Sequence, residues 1–288
     1  MDHAELSPSQ KETVLSLLDD PSPTVRRGLR DHLITLGPPA ITFLRQLAAG
    51  HHRAYAWHAR SYLEELQLSD PVGEFRTFIR SLNYELETGC LLLARTVRPD
   101  LDVAMCHHKL DAMAARCREL MVEPASAREK CRVLNRVLYH EYGYHGNIEH
   151  YNDPDNSLID QVLTRQKGIP LSLSLLYLLV AERLGLELEP VGLPGHFMVG
   201  CFLDDAPFYI DAFDGGYFRS PEEVFLFLKN HKLSPAISDL APTSVREVLC
   251  RSCRNLANHY AEAGDRVRAD LFISFVNEFE STYARHSA

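Results

Sequence analysis

The sequence predicts a mainly α-helical protein with a small α+β core. Over most of the chain, apolar residues recur at the spacing that is typical of amphipathic helices, as Val25, Leu29 and Leu33 do. Glycine and proline interrupt this pattern, for example at Gly37 and the two prolines that follow it. Strand-like alternation is confined to residues 186–213. We therefore expect one helix packed on a small antiparallel sheet, flanked by helical domains.

The first 66 residues predict four short helices. Within them, LLDDPSPTVRRGLRDHLITLGPPAITFL resembles a HEAT-type repeat, in which Asp-Pro closes one helix and Val-Arg opens the next. A unit of this kind buries its apolar face only against a neighbour. We assign residues 1–70 to a HEAT-like region that docks on the rest of the protein.

The remaining chain divides into three regions. A helical region covers 71–130, a core of helix and sheet covers 131–220, and C-terminal helices cover 221–288. Gly264-Asp265 joins the last two helices in a hairpin that resembles a single tetratricopeptide unit. The predicted helices of these regions span 71–81, 84–97, 100–121, 126–141, 157–165, 172–184, 243–263 and 265–281, with a short one after Pro221.

Composition narrows the classes of partner. The chain has 288 residues, 45% of them hydrophobic and 24% charged, and a formal net charge of -9. An acidic chain argues against nucleic acid and against an anionic membrane surface, because both present phosphate. The sequence has no apolar run of about 18 to 20 residues and no signal-peptide pattern, so we expect a cytoplasmic protein. Its odd number of cysteines, seven, fits reduced thiols in the core.

Two strands of the predicted hairpin can be registered against each other. If the chain turns through Asp204-Asp205, one face of the hairpin is wholly apolar and should be buried. The opposite face carries His196 beside Asp211, in diagonal positions whose backbones are about 7 to 8 Å apart. The apolar face consists of Phe197, Val199, Cys201, Leu203, Ala206, Phe208, Ile210 and Ala212.

The pair His196 and Asp211 suggests catalytic chemistry. A carboxylate that accepts a hydrogen bond from Nδ1 fixes the tautomer of an imidazole and leaves Nε2 free to act as a base. The alternative is a buried structural histidine bonded to a convenient aspartate. A nucleophile would belong at the start of a facing helix, where the dipole favours a thiolate. The helix in that place begins GIPLSLSLLYLLVAERLG and contains no cysteine.

These residues resemble a known family. The run NSLIDQVLTRQKGIPLSLSLLYLLVAERLGLELEPVGLPGHFMV, followed by FYIDAFDGG, is similar to the transglutaminase-like core of the SirB type, within the transglutaminase and papain-like superfamily. The match is strongest over about residues 135–220. The superfamily carries a Cys/His/Asp triad on a helix start, a strand and the next strand. The resemblance places His196 and Asp211 at the second and third positions, and the cysteine position falls near Ser172.

Two roles are open for Ser172. Its hydroxyl could attack an acyl group if His196 removed its proton, although an alcohol is far less acidic than a thiol. It could instead cap its helix by bonding a backbone amide of the first turn. Ser174 is the weaker candidate for a nucleophile.

The loop that precedes the Ser172 helix predicts no metal site, and the sequence predicts no cofactor. His140-Glu141 is similar to the start of a zinc-protease helix motif, but His145 lies five residues after His140 instead of four, so the two rings do not share a face. We expect His145, Asn156, Ser174 and Tyr209 to line a cleft around the triad, with the cap of the following helix as the alternative role of Asn156.

The sequence therefore predicts a transglutaminase-like protein without its cysteine nucleophile, a non-catalytic pseudoenzyme that binds a peptide or protein partner. The alternative is an acyl-transfer enzyme, a hydrolase of amides or esters, in which Ser172 attacks, His196 is the base and Asp211 orients it.

Overall fold

The computed structural model describes residues 6–50, 52–65, 70–203 and 206–286. The chain divides into two compact units, Met1–Asp70 and Pro71–Ala288. The protein is mainly α-helical with an α+β core, as predicted. No helix in the described part of the chain is both long enough and apolar enough to cross a membrane.

The described part of the first unit contains four helices, as predicted. Its helices are α1 (Pro8–Leu17), α2 (Pro23–Leu36), α3 (Pro38–Ala49) and α4 (Arg53–Glu65). The first three begin with proline, whose missing amide hydrogen costs nothing at a helix start. Leu29, Leu33 and Leu44 form the centre of a core that belongs to this unit alone.

The second unit adds nine described helices and two small sheets. The helix after residue 126 runs to residue 141 as predicted, but its last part, Arg136–Glu141, is a π-helical turn. Tight 3-10 turns cover Pro154–Ser157 and Ile237–Leu240. The helices are α5 (Pro71–Ser81), α6 (Leu86–Arg95), α7 (Val103–Leu120), α8 (Ala127–Asn135), α9 (Ile159–Arg165), α10 (Pro170–Arg183), α11 (Pro221–Asn230), α12 (Val245–Glu262) and α13 (Arg266–His286).

The larger sheet is antiparallel and has four described strands in chain order, β3 (Glu189–Val191), β4 (Met198–Cys201), β5 (Phe208–Asp211) and β6 (Tyr217–Arg219). The smaller sheet pairs β1 (His145–Gly146) with β2 (Lys167–Gly168) in parallel. The sequence predicted β3, β4 and β5 but not the other three strands.

The predicted register of the hairpin is confirmed where it is described, since Val199 pairs with Ile210 and Gly200 with Tyr209. The turn residues Asp204 and Asp205 lie outside the described residues. Six of the eight predicted apolar residues are buried in the main core. The prediction was wrong for Leu203, which is 53% exposed, and for Ala206, which is exposed. β4 ends at Cys201 and β5 begins at Phe208. Leu203 and Ala206 therefore lie beyond the paired strands and outside the core.

Helix α10 lies at the centre of the main core. Its residues from Pro170 to Ala181 are all buried, as expected of a helix that is apolar on nearly every side. The same core extends from Phe75 on α5 to Phe279 on α13 and so includes residues from all three predicted regions of this unit. The other face of the sheet packs Met198 and Tyr209 against α11.

Candidate functional site

His196 and Asp211 are in direct contact at the end of the larger sheet where β4 begins and β5 ends. His196 follows the Pro194-Gly195 turn that leads into β4, and Asp211 is the last residue of β5. The distance from His196 Nε2 to Asp211 Oδ1 is 2.9 Å, and the two side chains are 11% and 2% exposed. The contact that the sequence predicted is therefore present.

The nitrogen that makes this contact is not the predicted one. The predicted pairing brings Nδ1 to Asp211, whereas Nε2 lies there in the structure. The two residues are diagonal neighbours, and the nitrogen farther from the backbone is the one that spans such a separation. Nδ1 is left as the only ring nitrogen that could serve as a base, and within the described residues it has no hydrogen-bond partner.

Asp211 has more partners than the sequence predicted. Arg219 Nη2 lies 3.2 Å from Asp211 Oδ2, and the amide of Asp214 donates to Oδ1. Burial raises the pKa of Asp211, but the hydrogen bond and charge of His196, together with the Arg219 guanidinium, outweigh it and hold the pKa below its usual value. Asp211 is consequently an anion in a nearly dry position. Extending the strand alternation past the Gly215-Gly216 turn was the signal that could have found Arg219.

Aromatic rings enclose His196. The Phe227 ring on α11 lies 4.9 Å from the imidazole, and the Phe213 ring lies 6.3 Å away. Arg219 stacks over Phe227 at 5.0 Å and over Tyr217 at 4.9 Å. Helix α11 therefore covers the imidazole and leaves little of it open to solvent.

Ser172, the predicted third member, holds the start of α10. Its hydroxyl accepts a hydrogen bond from the Ile169 amide at 3.0 Å and donates to the Asn156 carbonyl at 2.5 Å. Ile169 is the N-cap residue and Ser172 the third helical residue, so the serine side chain reaches back as in one half of a capping box. Ser172 is 2% exposed and borders a cavity of about 10 Å³, lined also by Cys90 and Ser252 but not by His196.

Phe213 contacts both the histidine and the small parallel sheet. Its ring lies 6.3 Å from the imidazole of His196 and nearly perpendicular to it. It also packs on Gly146 so closely that a Cβ there would come within 2.4 Å of the ring. Gly146 pairs with Gly168 of β2, where a Cβ would come within 2.5 Å of the Ser172 hydroxyl. The small sheet therefore packs beside both His196's neighbour Phe213 and the start of α10.

Ser174 and two groups near Asp211 are buried and have no hydrogen-bond partner among the residues that the structure describes. Ser174 is fully buried, about 200° around the helix from Ser172, and its hydroxyl has no hydrogen-bond partner. The Tyr139 hydroxyl and Asn135 Oδ1, at the π-helical turn, are also buried and unpartnered. Burial and the charge of Asp211 raise the pKa of Tyr139 well above its usual value. No pattern in the sequence pointed to Tyr139.

The other predicted cleft residues have different places. Asn156 is fully buried. Its alternative role required it to cap the next helix, and it does not. Its amide group instead bonds the carbonyls of His150 and Tyr151 and accepts from Asn147, so it braces its own loop. Tyr209 is 1% exposed and donates to the Leu240 carbonyl, so it lines no opening. His145 is exposed, with Nδ1 2.9 Å from the Gly143 carbonyl.

The cysteines provide no replacement nucleophile. All seven are buried. Burial raises the pKa of Cys106 and of Cys250 to about 11, and it raises the pKa of Cys90 and Cys253 as well. A reactive cysteine needs a lowered pKa and access to solvent. Across the described residues, no three His, Cys, Asp or Glu side chains are grouped so that they could hold a metal ion.

Comparison with known proteins agrees with this fold. A family model described as the transglutaminase-like superfamily matches residues 104–254. A UPF0162 protein of Xylella fastidiosa strain Temecula1 is 35% identical over 182 residues, which are 61% of this chain and 65% of the relative. A second, from strain 9a5c, is 34% identical over 64% of this chain and 68% of the relative.

A longer protein carries a similar segment. Human F-box only protein 21 is 30% identical over 208 residues, which are 68% of this chain but 32% of that protein. The chain spans about two thirds of the length of the Xylella relatives and a third of this one. No solved structure matches the chain.

Proposed function

Because the chain belongs to the transglutaminase-like superfamily and its UPF0162 branch, we propose that it is a non-catalytic member that binds a protein or peptide partner. The superfamily comparison supports the fold, and the matched residues 104–254 include Ser172, His196 and Asp211. Whether the protein has a nucleophile depends on the surroundings of Ser172.

The bonding of the Ser172 hydroxyl carries the proposal. A serine nucleophile needs a base within hydrogen-bond reach of its oxygen and an open path to the substrate. Here the hydroxyl proton is directed at the Asn156 carbonyl, the oxygen accepts the Ile169 amide, and the side chain is buried. Turning the hydroxyl toward another base would break both bonds.

The pair of His196 and Asp211 has a structural role that fits this proposal. The carboxylate joins the end of β5 to the turn before β4 through His196 and to β6 through Arg219. A buried carboxylate without such partners would be costly. The pair therefore persists for stability in a protein that has no nucleophile.

A partner could contact the surface around this pair. Tyr151 and Tyr217 are 40% and 52% exposed, and Tyr151 packs on Phe213 while Arg219 stacks on Tyr217. Partly exposed tyrosines held by neighbours are enriched in protein interfaces. The similarity to a segment of F-box only protein 21 supports the same idea, since a related segment lies within a larger protein.

Labelling with a serine-directed fluorophosphonate tests the proposal. We expect no labelling of the wild-type protein, of Ser172→Ala or of Ser174→Ala. In urea, Ser172→Ala should lower the free energy of unfolding by about 1 to 3 kcal/mol, because the Ile169 amide loses its partner in a buried position. Ser174→Ala removes an unpartnered hydroxyl and should cost less than about 1 kcal/mol.

Wild-type labelling that disappears in Ser172→Ala and survives in Ser174→Ala would establish the acyl-transfer alternative instead. The unpartnered Nδ1 of His196 is the observation in favour of that alternative.

A further inference from the structure

Two adjoining grooves lie at the carboxyl end of α10, far along the helix from Ser172. The first has a volume of about 670 Å³ and is walled by α6, α7 and the end of α10. Its apolar floor includes Leu91, Leu92 and Val103. Its size falls within the range of known ligand sites, roughly 300 to 1,000 Å³.

The second groove continues the first. It has a volume of about 490 Å³ and lies between the start of α6 and the segment that leads from α10 into β3. Glu182 lines both grooves. The apolar residues of the second groove are Leu86, Leu178, Leu186, Leu188, Pro190 and Val245.

The cations in the first groove are already neutralised by the protein. Arg183 forms two hydrogen bonds of 2.7 Å with Glu87 and one of 2.6 Å with Asp111. Arg95 bonds Glu74 at 2.7 Å. These pairs stiffen the wall and leave no guanidinium free to attract an anion.

Three carboxylates around the grooves form no ion pair in the described chain: Glu182, Glu187 and Glu189. A fourth, Glu85, accepts hydrogen bonds from the amides of Glu87 and Thr88 at the start of α6 and also interacts with the charge of Arg183. Burial raises the pKa of Glu85, but these hydrogen bonds outweigh burial and hold the pKa below its usual value. The rims are therefore anionic above an apolar floor.

We propose that the two grooves together bind a basic amphipathic segment of a partner protein, with lysine or arginine side chains at the glutamate rims and leucine-like side chains on the floor. A second copy of this chain fits poorly, because its net charge of -9 repels an acidic surface. A small organic cation would leave the apolar floor in water. The proposal does not depend on the proposed function, because none of its residues contacts His196 or Ser172.

Fluorescence anisotropy with the full-length protein tests the proposal. The probes are four labelled short peptides built from leucine and lysine, leucine and arginine, leucine and glutamate, or serine and lysine. We expect the first two to bind, and the other two to fail because one lacks the charge and the other the apolar side chains. Binding should weaken as salt is raised.

Variants localise the binding. Glu182→Gln combined with Glu187→Gln removes two exposed, unpaired charges at the rims and should weaken binding of the leucine and lysine peptide about tenfold. The matched control combines Asp270→Asn with Glu280→Gln on α13, removes the same charge, and should change binding by less than about twofold.

Three results would overturn the proposal: no peptide binds, the serine and lysine peptide binds as well as the leucine and lysine peptide, or the control variant weakens binding as much as the groove variant. Complete displacement of the peptide by spermine at equal concentration would assign the grooves to a small cation instead. Serine labelling in the preceding experiment would leave these outcomes unchanged, so the two proposals can fail separately.

Discussion

Asp211 carries its negative charge in a position that solvent scarcely reaches. Two cationic or hydrogen-bonding side chains, His196 and Arg219, share its two oxygens. Because the low-dielectric surroundings weaken hydration, the charge is stable only while both partners remain in place. The residue is therefore a sensitive reporter of the integrity of this part of the sheet.

We expect Asp211→Asn to lower the free energy of unfolding by about 3 kcal/mol at pH 7. The folded-state pKa of Asp211 lies below the ordinary value of 3.8, so its stabilisation is complete above about pH 4 and is lost as the pH falls through the lower, folded-state pKa. The difference between wild type and variant should accordingly shrink in urea titrations repeated at decreasing pH.

Asp214→Asn is the matched control, because Asp214 binds the same Arg219 but is 63% exposed. It should cost less than about 1 kcal/mol. A cost for Asp211→Asn that stayed constant down to pH 2 would contradict the assignment of an ionised carboxylate.

At the scale of elements, a single buried carboxylate fastens α13 to α5. Glu278 is 9% exposed and accepts hydrogen bonds of 2.6 Å from both Arg76 and Arg80. Phe275 and Phe279 of the same helix pack edge-on against Phe75 of α5. The ion pairs therefore fix the register of two helices that the aromatic rings hold together.

We expect Glu278→Ala to lower the free energy of unfolding in urea by about 2 kcal/mol, since both arginines lose their shared acceptor. Glu280→Ala, on the same helix, removes a residue that is 58% exposed and that pairs, among the described residues, with Arg254 alone. Its cost should stay below about 1 kcal/mol. Equal costs for the two variants would show that the contact between the helices does not depend on Glu278.

Helices and strands were predictable where the hydrophobic pattern extends over many residues. The alternation over residues 196–213 predicted both the strands and the register that brings His196 to Asp211. Strands β1, β2 and β6 have only two or three residues and lie outside the alternating run 186–213, whereas the equally short β3 lies within it. The π-helical turn at Arg136–Glu141 shares its apolar pattern with an ordinary helix, so the sequence could not distinguish them.

The candidate site was predictable only in part, because strand alternation was again the main source of information. Alternation places side chains on faces, but it does not say which nitrogen of His196 meets Asp211. Nor does it show where a serine hydroxyl bonds. The Asn156 carbonyl that accepts from Ser172 belongs to a loop with no periodicity, and its position depends on the packing of distant segments.

At the scale of the whole molecule, the described residues form three apolar cores. One belongs to α1–α4, the largest extends through the helices and sheet of the second unit, and a small one lies between the sheet and α11. The division between the two units falls between Asp70 and Pro71. The HEAT-like and tetratricopeptide-like descriptions of the terminal regions remain predictions, but the C-terminal pair α12 and α13 is part of the main core and not a separate array.

We expect a fragment of residues 71–288 to fold alone, because its core includes no residue of the first unit. Its far-UV circular dichroism should report a helical protein, and its urea unfolding should remain cooperative with a midpoint close to that of the corresponding transition in the full chain. A non-cooperative transition, or a soluble aggregate in place of a monomer, would show that residues 1–70 complete the fold.

The packing of Phe213 on Gly146 has a consequence for engineering. Any residue larger than glycine at position 146 would overpack this contact, because even a Cβ would come within 2.4 Å of the ring. The same ring also contacts His196 and Tyr151. A substitution in the small parallel sheet would therefore displace an aromatic neighbour of the imidazole without touching His196 itself.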